Sequence, residues 1–174
     1  MKTLALVATL VALPLAGVAP AADTAVEMHL VDASGVGKAI GKVTLADTPA
    51  GLRLTPDLSG LPPGQHGFHV HETGNCSPAE KDGKMAAGVS AGGHLDPAKT
   101  GKHLGPEGKG HLGDLPVLTV ASDGTARQAV VAPRLKMADL HNRALMIHAG
   151  GDNFADEPEP LGGGGARIAC GVVP

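Results

Sequence analysis

Histidine is the residue this chain uses to excess: nine of them against two cysteines, most in one glycine-rich window. Neutral imidazole is the commonest metal ligand in proteins, so their spacing carries chemical meaning. His94, His103, His111 and Asp114 follow one another as His-x8-His-x7-His-x2-Asp. Three imidazoles and one carboxylate, with no thiolate, are the donors of a closed, four-coordinate zinc site. Gly101, Gly105, Gly108, Gly110 and Gly113 lie among them and suit a chain that bends tightly round an ion. The plainer alternative is a solvated loop that happens to carry three histidines.

His69 and His71 flank Val70, and residues two apart on a strand share a face. Alone, such a pair reads equally well as two structural or surface histidines. His148 ends the apolar run Ala144–Ile147 and by itself reads as a capping or buried histidine, and Asp152 as an ordinary loop acid. Taken with His94, however, His69, His71 and His148 form an all-imidazole set, which suits the tetragonal nitrogen ligation of Cu²⁺. His94 would then serve two ions, one through each ring nitrogen, as an imidazolate. His29, His66 and His141 fall outside both sets and are assigned to no metal.

The elements that must hold these residues are strands. Residues 26–30, 42–45 and 52–54 alternate apolar and polar side chains, the pattern of half-buried strands. Further strand signals cover 65–72, 116–120, 127–131, 144–147 and 167–173, separated by Gly- and Pro-containing turns. Eight short strands and no convincing helix predict an all-β, antiparallel β-sandwich or flattened barrel. Two irregular stretches, 73–114 and 149–165, interrupt it. A stretch of that length without structure of its own is expected only where it is functional or clamped, and the first contains its own four potential ligands.

Composition narrows the function classes. Residues 1–21 read as a secretory signal, with Lys2 as the basic end, an apolar run from Leu4 to Leu13, and an Ala19-Pro20-Ala21 cleavage site. Export makes a disulfide between Cys76 and Cys170 plausible chemistry, and the loop-entropy model assigns such a long closure about 4–5 kcal/mol. The single mature domain is expected over residues 22–174. After cleavage, 13 basic residues face 17 acidic ones, a net charge of −4. No basic excess points to nucleic acid, and no second apolar run of membrane-spanning length points to stable membrane insertion. With only Phe68 and Phe154 as aromatics, the core must be built from Val, Leu, Ile, Ala and Met.

Four stretches together, GFHVHETGNC (67–76), GGHLDP (92–97), GPEGKGHLGDLP (105–116) and GGGGARIACGVV (162–173), resemble the copper/zinc superoxide dismutases, and the exported bacterial branch most of all. The resemblance runs in order through essentially the whole mature chain. It implies a Greek-key barrel with two long functional loops. It also implies copper on His69, His71, His94 and His148, and zinc on His94, His103, His111 and Asp114. By the same resemblance Asp152 hydrogen-bonds one histidine of each set, His69 and His103. Arg167 stands beside the copper, and Cys76 pairs with Cys170. The implied activity is dismutation of superoxide to dioxygen and hydrogen peroxide by a copper redox cycle in the periplasm, with zinc shaping the loop and His94 taking up a proton. Residues 80–85 lengthen the first loop as in bacterial members, some of which use that loop in a dimer. The scarcity of aromatics puts an aromatic-anchored interface in doubt, so monomer and homodimer both stand.

Lys81, Lys84, Lys102 and Lys109 are candidates for steering an anion to the site against an overall negative charge. The rival reading is a non-catalytic copper- or zinc-binding, or copper-delivery, module of the same fold. A lost copper ligand or a lost arginine would support it, and every position carries the expected residue.

Overall fold

The computed structural model describes residues 23–174, and the expected signal segment lies outside them. Twelve strands follow in chain order. The first five are β1 (Thr24–Asp32), β2 (Gly35–Thr48), β3 (Gly51–Ser59), β4 (Gly64–His66) and β5 (Phe68–His71). Then come β6 (Ala79–Lys81), β7 (Lys84–Ala86), β8 (Leu118–Val120), β9 (Thr125–Ala126), β10 (Val130–Ala132), β11 (Ala144–His148) and β12 (Arg167–Val172). Only three short 3-10 turns accompany them, and among the described residues no helix is long and apolar enough to cross a membrane. The main sheet runs β10-β3-β2-β1-β12-β11-β5, all pairs antiparallel, with β9 on β3 and the β4–β8 pair beside it. The architecture is the all-β, antiparallel barrel that the alternation predicts.

Strand β3 shows how the pattern works: Leu52, Leu54, Pro56 and Leu58 point inward while Arg53, Thr55 and Asp57 stay exposed. The three leucines join Val43, Leu45, Phe68, Val70, Leu118, Leu145 and Ile147 in one hydrophobic core. The sequence segment 65–72 reads as one strand but is divided at Gly67. There the chain changes partners: Gly67 N–H donates to Gly150 O at 2.8 Å, and its carbonyl accepts from His148 N–H at 2.9 Å. A Cβ at this position would sit 3.2 Å from Gly151 O and 3.1 Å from the His69 ring, so the close approach suits glycine. The division matters because it delivers β5 and the end of β11 to the same place.

The irregular stretch 73–114 has more structure than its composition announces. Strands β6 and β7 form a hairpin closed by Asp82-Gly83, both at positive φ, which is the two-residue turn that matches strand twist. The expected strand at 127–131 is shorter than its pattern, beginning at Val130.

Candidate metal centre

Period-two geometry sorts the strand residues. On β5, Phe68 and Val70 enter the core, which leaves His69 and His71 on the outer face. On β11, Leu145 and Ile147 enter the core, which leaves Met146 and His148 outside. Met146 is registered opposite His69, so the two outer faces are continuous and three imidazoles converge. All three are nonetheless buried, because the two long loops fold over them.

The first loop lays two short stretches along β5. Leu95 N–H donates to Val70 O at 2.8 Å, Val70 N–H to Gly113 O at 2.9 Å, and Gly113 N–H to Leu95 O at 2.9 Å. The apolar neighbours of the ligand candidates, Leu95 beside His94 and Leu115 beside Asp114, are buried in the core and act as anchors. His94 and Asp114 are thereby held against His71 and His69.

Two groups of four donors result, each with its atoms within 4.8 Å of one another: His69, His71, His94 and His148; and His94, His103, His111 and Asp114. His94 belongs to both. In the second group Asp114 Oδ1 lies 3.0, 3.0 and 3.4 Å from Nδ1 of His94, His103 and His111. Bonds of about 2.0–2.1 Å to a tetrahedral ion place its ligand atoms roughly 3.3 Å apart, so the spacing fits such an ion. In the first group, His71 Nδ1 donates to Gly92 O (3.0 Å) and His148 Nδ1 to Gly165 O (3.2 Å). That choice of tautomer leaves two Nε2 lone pairs facing each other at 3.4 Å. Two acceptors so placed are stabilised by a cation between them.

Asp152 orders the remaining rings. Its Oδ2 accepts from His69 Nε2–H and its Oδ1 from His103 Nε2–H, both at 2.8 Å, so the Nδ1 atoms of both rings are freed as lone pairs. Gly162 permits this contact, since a Cβ there would fall 2.0 Å from Asp152 Oδ1. The outcome is a set of buried ring nitrogens with no hydrogen-bond partner: His69 Nδ1, His94 Nε2, His103 Nδ1 and His111 Nδ1. Unpaired buried polar atoms are costly, and four in one cluster is the condition of a chain built to accept ions. The residues present therefore fit both metals.

The electrostatics agree. Burial lowers His94 to about 4 and His148 to about 3, and lowers His71 well below the ordinary imidazole value, which favours neutral rings with a free lone pair at pH 7. For His103, desolvation is outweighed by the carboxylates of Asp114 and Asp152, and its pKa rises to about 9. The same contacts hold both aspartates well below the usual carboxylate range, against desolvation.

Arg167, at the start of β12, is half-buried and donates Nη1 to Gly88 O and Nη2 to Gly92 O, each at 2.6 Å. Burial lowers its pKa, yet a guanidinium keeps its charge in any protein setting. It lines a cavity of about 440 Å³ with Lys81, Gly92, Gly93, Leu161 and Gly165, so of the four candidate lysines Lys81 alone shares that wall. The disulfide joins Cys76 to Cys170 with Cα atoms 5.8 Å apart, tying the first loop to the strand that bears Arg167.

Sequence reasoning missed three residues. His66, buried, places its ring nitrogens 2.7 Å from His148 O and 2.8 Å from Pro62 O and so props the strand end that carries His148. Asp156 and Arg134 hold the backbone of the first loop from outside it. Contacts to main-chain atoms leave no mark in residue spacing. His29 Nε2 lies 3.5 Å from Glu27 and His141 Nδ1 lies 3.1 Å from Pro174 O, and neither belongs to a donor group.

Known proteins agree with the geometry. Residues 39–173 match the family model of copper/zinc superoxide dismutase (SODC). The chain is 60% identical to the Cu-Zn superoxide dismutase of Escherichia coli K12 over 165 residues, 94% of this chain and 95% of that one. Among solved structures, the Cu/Zn superoxide dismutase from Brucella abortus superposes with a TM-score of 0.86 at 52% identity, covering 88% of this chain and 100% of that one. The monomeric copper, zinc superoxide dismutase from Salmonella enterica gives a TM-score of 0.79 at 60% identity, with the same coverage of each chain. With a Greek-key barrel, two interlocked donor sets and these relatives, the chain belongs to the copper/zinc superoxide dismutase family and is a superoxide-dismutating enzyme that uses copper and zinc.

Proposed function

We propose that His69, His71, His94 and His148 hold the copper, that His94, His103, His111 and Asp114 hold the zinc, and that Arg167 docks superoxide beside the copper. The observation that carries this reading is the set of four buried, unpartnered ring nitrogens, distributed over both donor groups. Bound copper supplies the one-electron couple by which one superoxide is oxidised to dioxygen and the next is reduced. The chain's own residues do the rest. Arg167, fixed by two carbonyls, offers planar donors and a positive charge to the anion. Asp152 fixes the ring orientation of one ligand in each group. His94 Nε2, the buried nitrogen between the groups, is the atom that can hold a proton for the peroxide being formed. Elemental analysis of the mature protein should find one copper and one zinc per chain, with His103→Ala losing zinc first. Loss of copper alone in that variant would overturn the assignment.

Residues 1–21 are read as a signal that sends the enzyme to the periplasm, and the chain as a monomer like its Salmonella enterica relative. Mass spectrometry of the mature N-terminus and sedimentation of the purified enzyme test the two statements.

A chain of net negative charge must still draw in an anion, and Arg167 with Lys81 makes the channel mouth locally positive. The bimolecular rate is expected to fall as ionic strength rises. Lys81→Glu should lower it further, by up to about tenfold at low salt, with metal content unchanged. A rate indifferent to salt would rule out steering.

The disulfide bears on the same residue. Loop 73–91 carries the Gly88 carbonyl that orients Arg167, and Cys76 anchors that loop. Cys170→Ser should therefore lower activity by a larger factor than it lowers copper content, measured on the same sample. Equal losses would show that the bridge serves stability only.

A further inference from the structure

The segment from His103 to His111 supplies two of the four donors of the second group, and side chains from elsewhere hold it at both ends. Asp156 Oδ2 accepts from His103 N–H at 3.0 Å, while its Oδ1 accepts from Leu161 N–H at 3.4 Å. At the other end the Arg134 guanidinium spans three carbonyls: Nε donates to Pro106 O at 3.0 Å, Nη1 to Gly110 O at 3.2 Å, and Nη2 to His111 O. The segment also closes on itself, with His111 N–H donating to Lys102 O at 2.8 Å. Arg134 has a firm base. Its neighbour Leu135 is buried in the core and accepts from Leu52 N–H at 3.0 Å.

A guanidinium is planar and carries five N–H donors in fixed directions, so three converging carbonyls are well matched to it and poorly matched to an ammonium. We propose that Arg134 is a positioning residue for zinc: it fixes the backbone on which His111 stands, as Asp156 does for His103, so the loop is ordered before the ion arrives. Preorganisation of this kind lowers the entropy cost of binding and slows release. The inference rests on the assignment of His103 and His111 to zinc.

The copper- and zinc-loaded enzyme is mixed with excess chelator, and the release of each metal is followed separately. Arg134→Ala should release zinc about 10- to 100-fold faster than the unaltered enzyme, the factor by which affinity falls when partners outside the ligand set are lost, taken here to lie in the off-rate. Arg134→Lys should release it nearly as fast as Arg134→Ala, because charge without the fork does not restore the three contacts. Copper release should change far less in both. Arg127→Ala, which breaks an exposed ion pair with Asp57 elsewhere, should behave like the unaltered enzyme. If Arg134→Lys stays within about twofold of the unaltered enzyme, or if both metals leave faster by the same factor, Arg134 is general scaffolding and the proposal is overturned. Should Arg134→Ala fail to fold, the lysine variant decides alone. His111→Ala is the check on the foundation: if it retains zinc as the unaltered enzyme does, the ligand assignment fails and takes this proposal with it.

Discussion

Replacing His148 with glutamine is expected to give a folded enzyme that still binds zinc and has lost dismutase activity by more than about 100-fold, beyond what the loss of an outer-shell partner costs. The strand should survive, because Leu145 and Ile147 hold β11 from the opposite face and the substitution touches neither. The zinc group should survive as well. His148 is not one of its donors, and that group is anchored through Leu95, Leu115 and the Asp114 carboxylate. What is lost is the Nε2 lone pair facing His71 at 3.4 Å. A glutamine carbonyl is a harder and weaker donor for copper than imidazole, and its amide group brings N–H donors into a place that needs acceptors. Elemental analysis with stopped-flow superoxide decay reads both halves. Activity persisting at full copper content, or zinc falling in step with copper, would show that His148 does not have the copper role assigned to it.

The two donor groups are partly legible in the sequence. The ligand candidates announce themselves because imidazole at strand or loop spacing is rare in a core and common at metals, and His94 is the residue the two donor groups share. Alternation exposed the barrel strands wherever one face meets solvent, as in β3. Where both faces are covered the strand is still legible but its limits are not: residues 68–71 are all buried, two in the core and two under the loops, and the segment 65–72 reads as one strand with nothing to mark its division at Gly67. The β6–β7 hairpin was invisible for the opposite reason: Glu80, Lys81, Asp82 and Lys84 are exposed and leave no apolar face to read.

The supports of the site were the least legible. His66, Arg134 and Asp156 act on main-chain carbonyls and N–H groups 82, 23 and 53 residues away. Every residue offers the same main-chain atoms, so no pairing of residue types identifies such a contact. Asp152 is the exception among supports. It touches side chains, His69 and His103, the same pair that the resemblance to a known family names.

Asp152 is therefore where the two loops can be uncoupled with least disturbance. Asp152→Asn keeps the shape and removes the charge. The native carboxylate accepts from His69 at Oδ2 and from His103 and Phe154 N–H at Oδ1, each at 2.8 Å. An amide has one acceptor oxygen and one NH₂ donor. The orientation that keeps two bonds puts the oxygen toward His103 and Phe154 and turns the NH₂ toward His69. His69 Nε2 must then become an acceptor, and its proton moves to Nδ1, the nitrogen that is otherwise free to bind copper. Copper affinity is expected to fall by about 10- to 100-fold while zinc affinity falls less. Competition with chelators of graded affinity measures the two losses separately. A larger loss of zinc would mean that the amide takes the opposite orientation and that His103, already drawn toward protonation by two carboxylates, is the more dependent of the two rings.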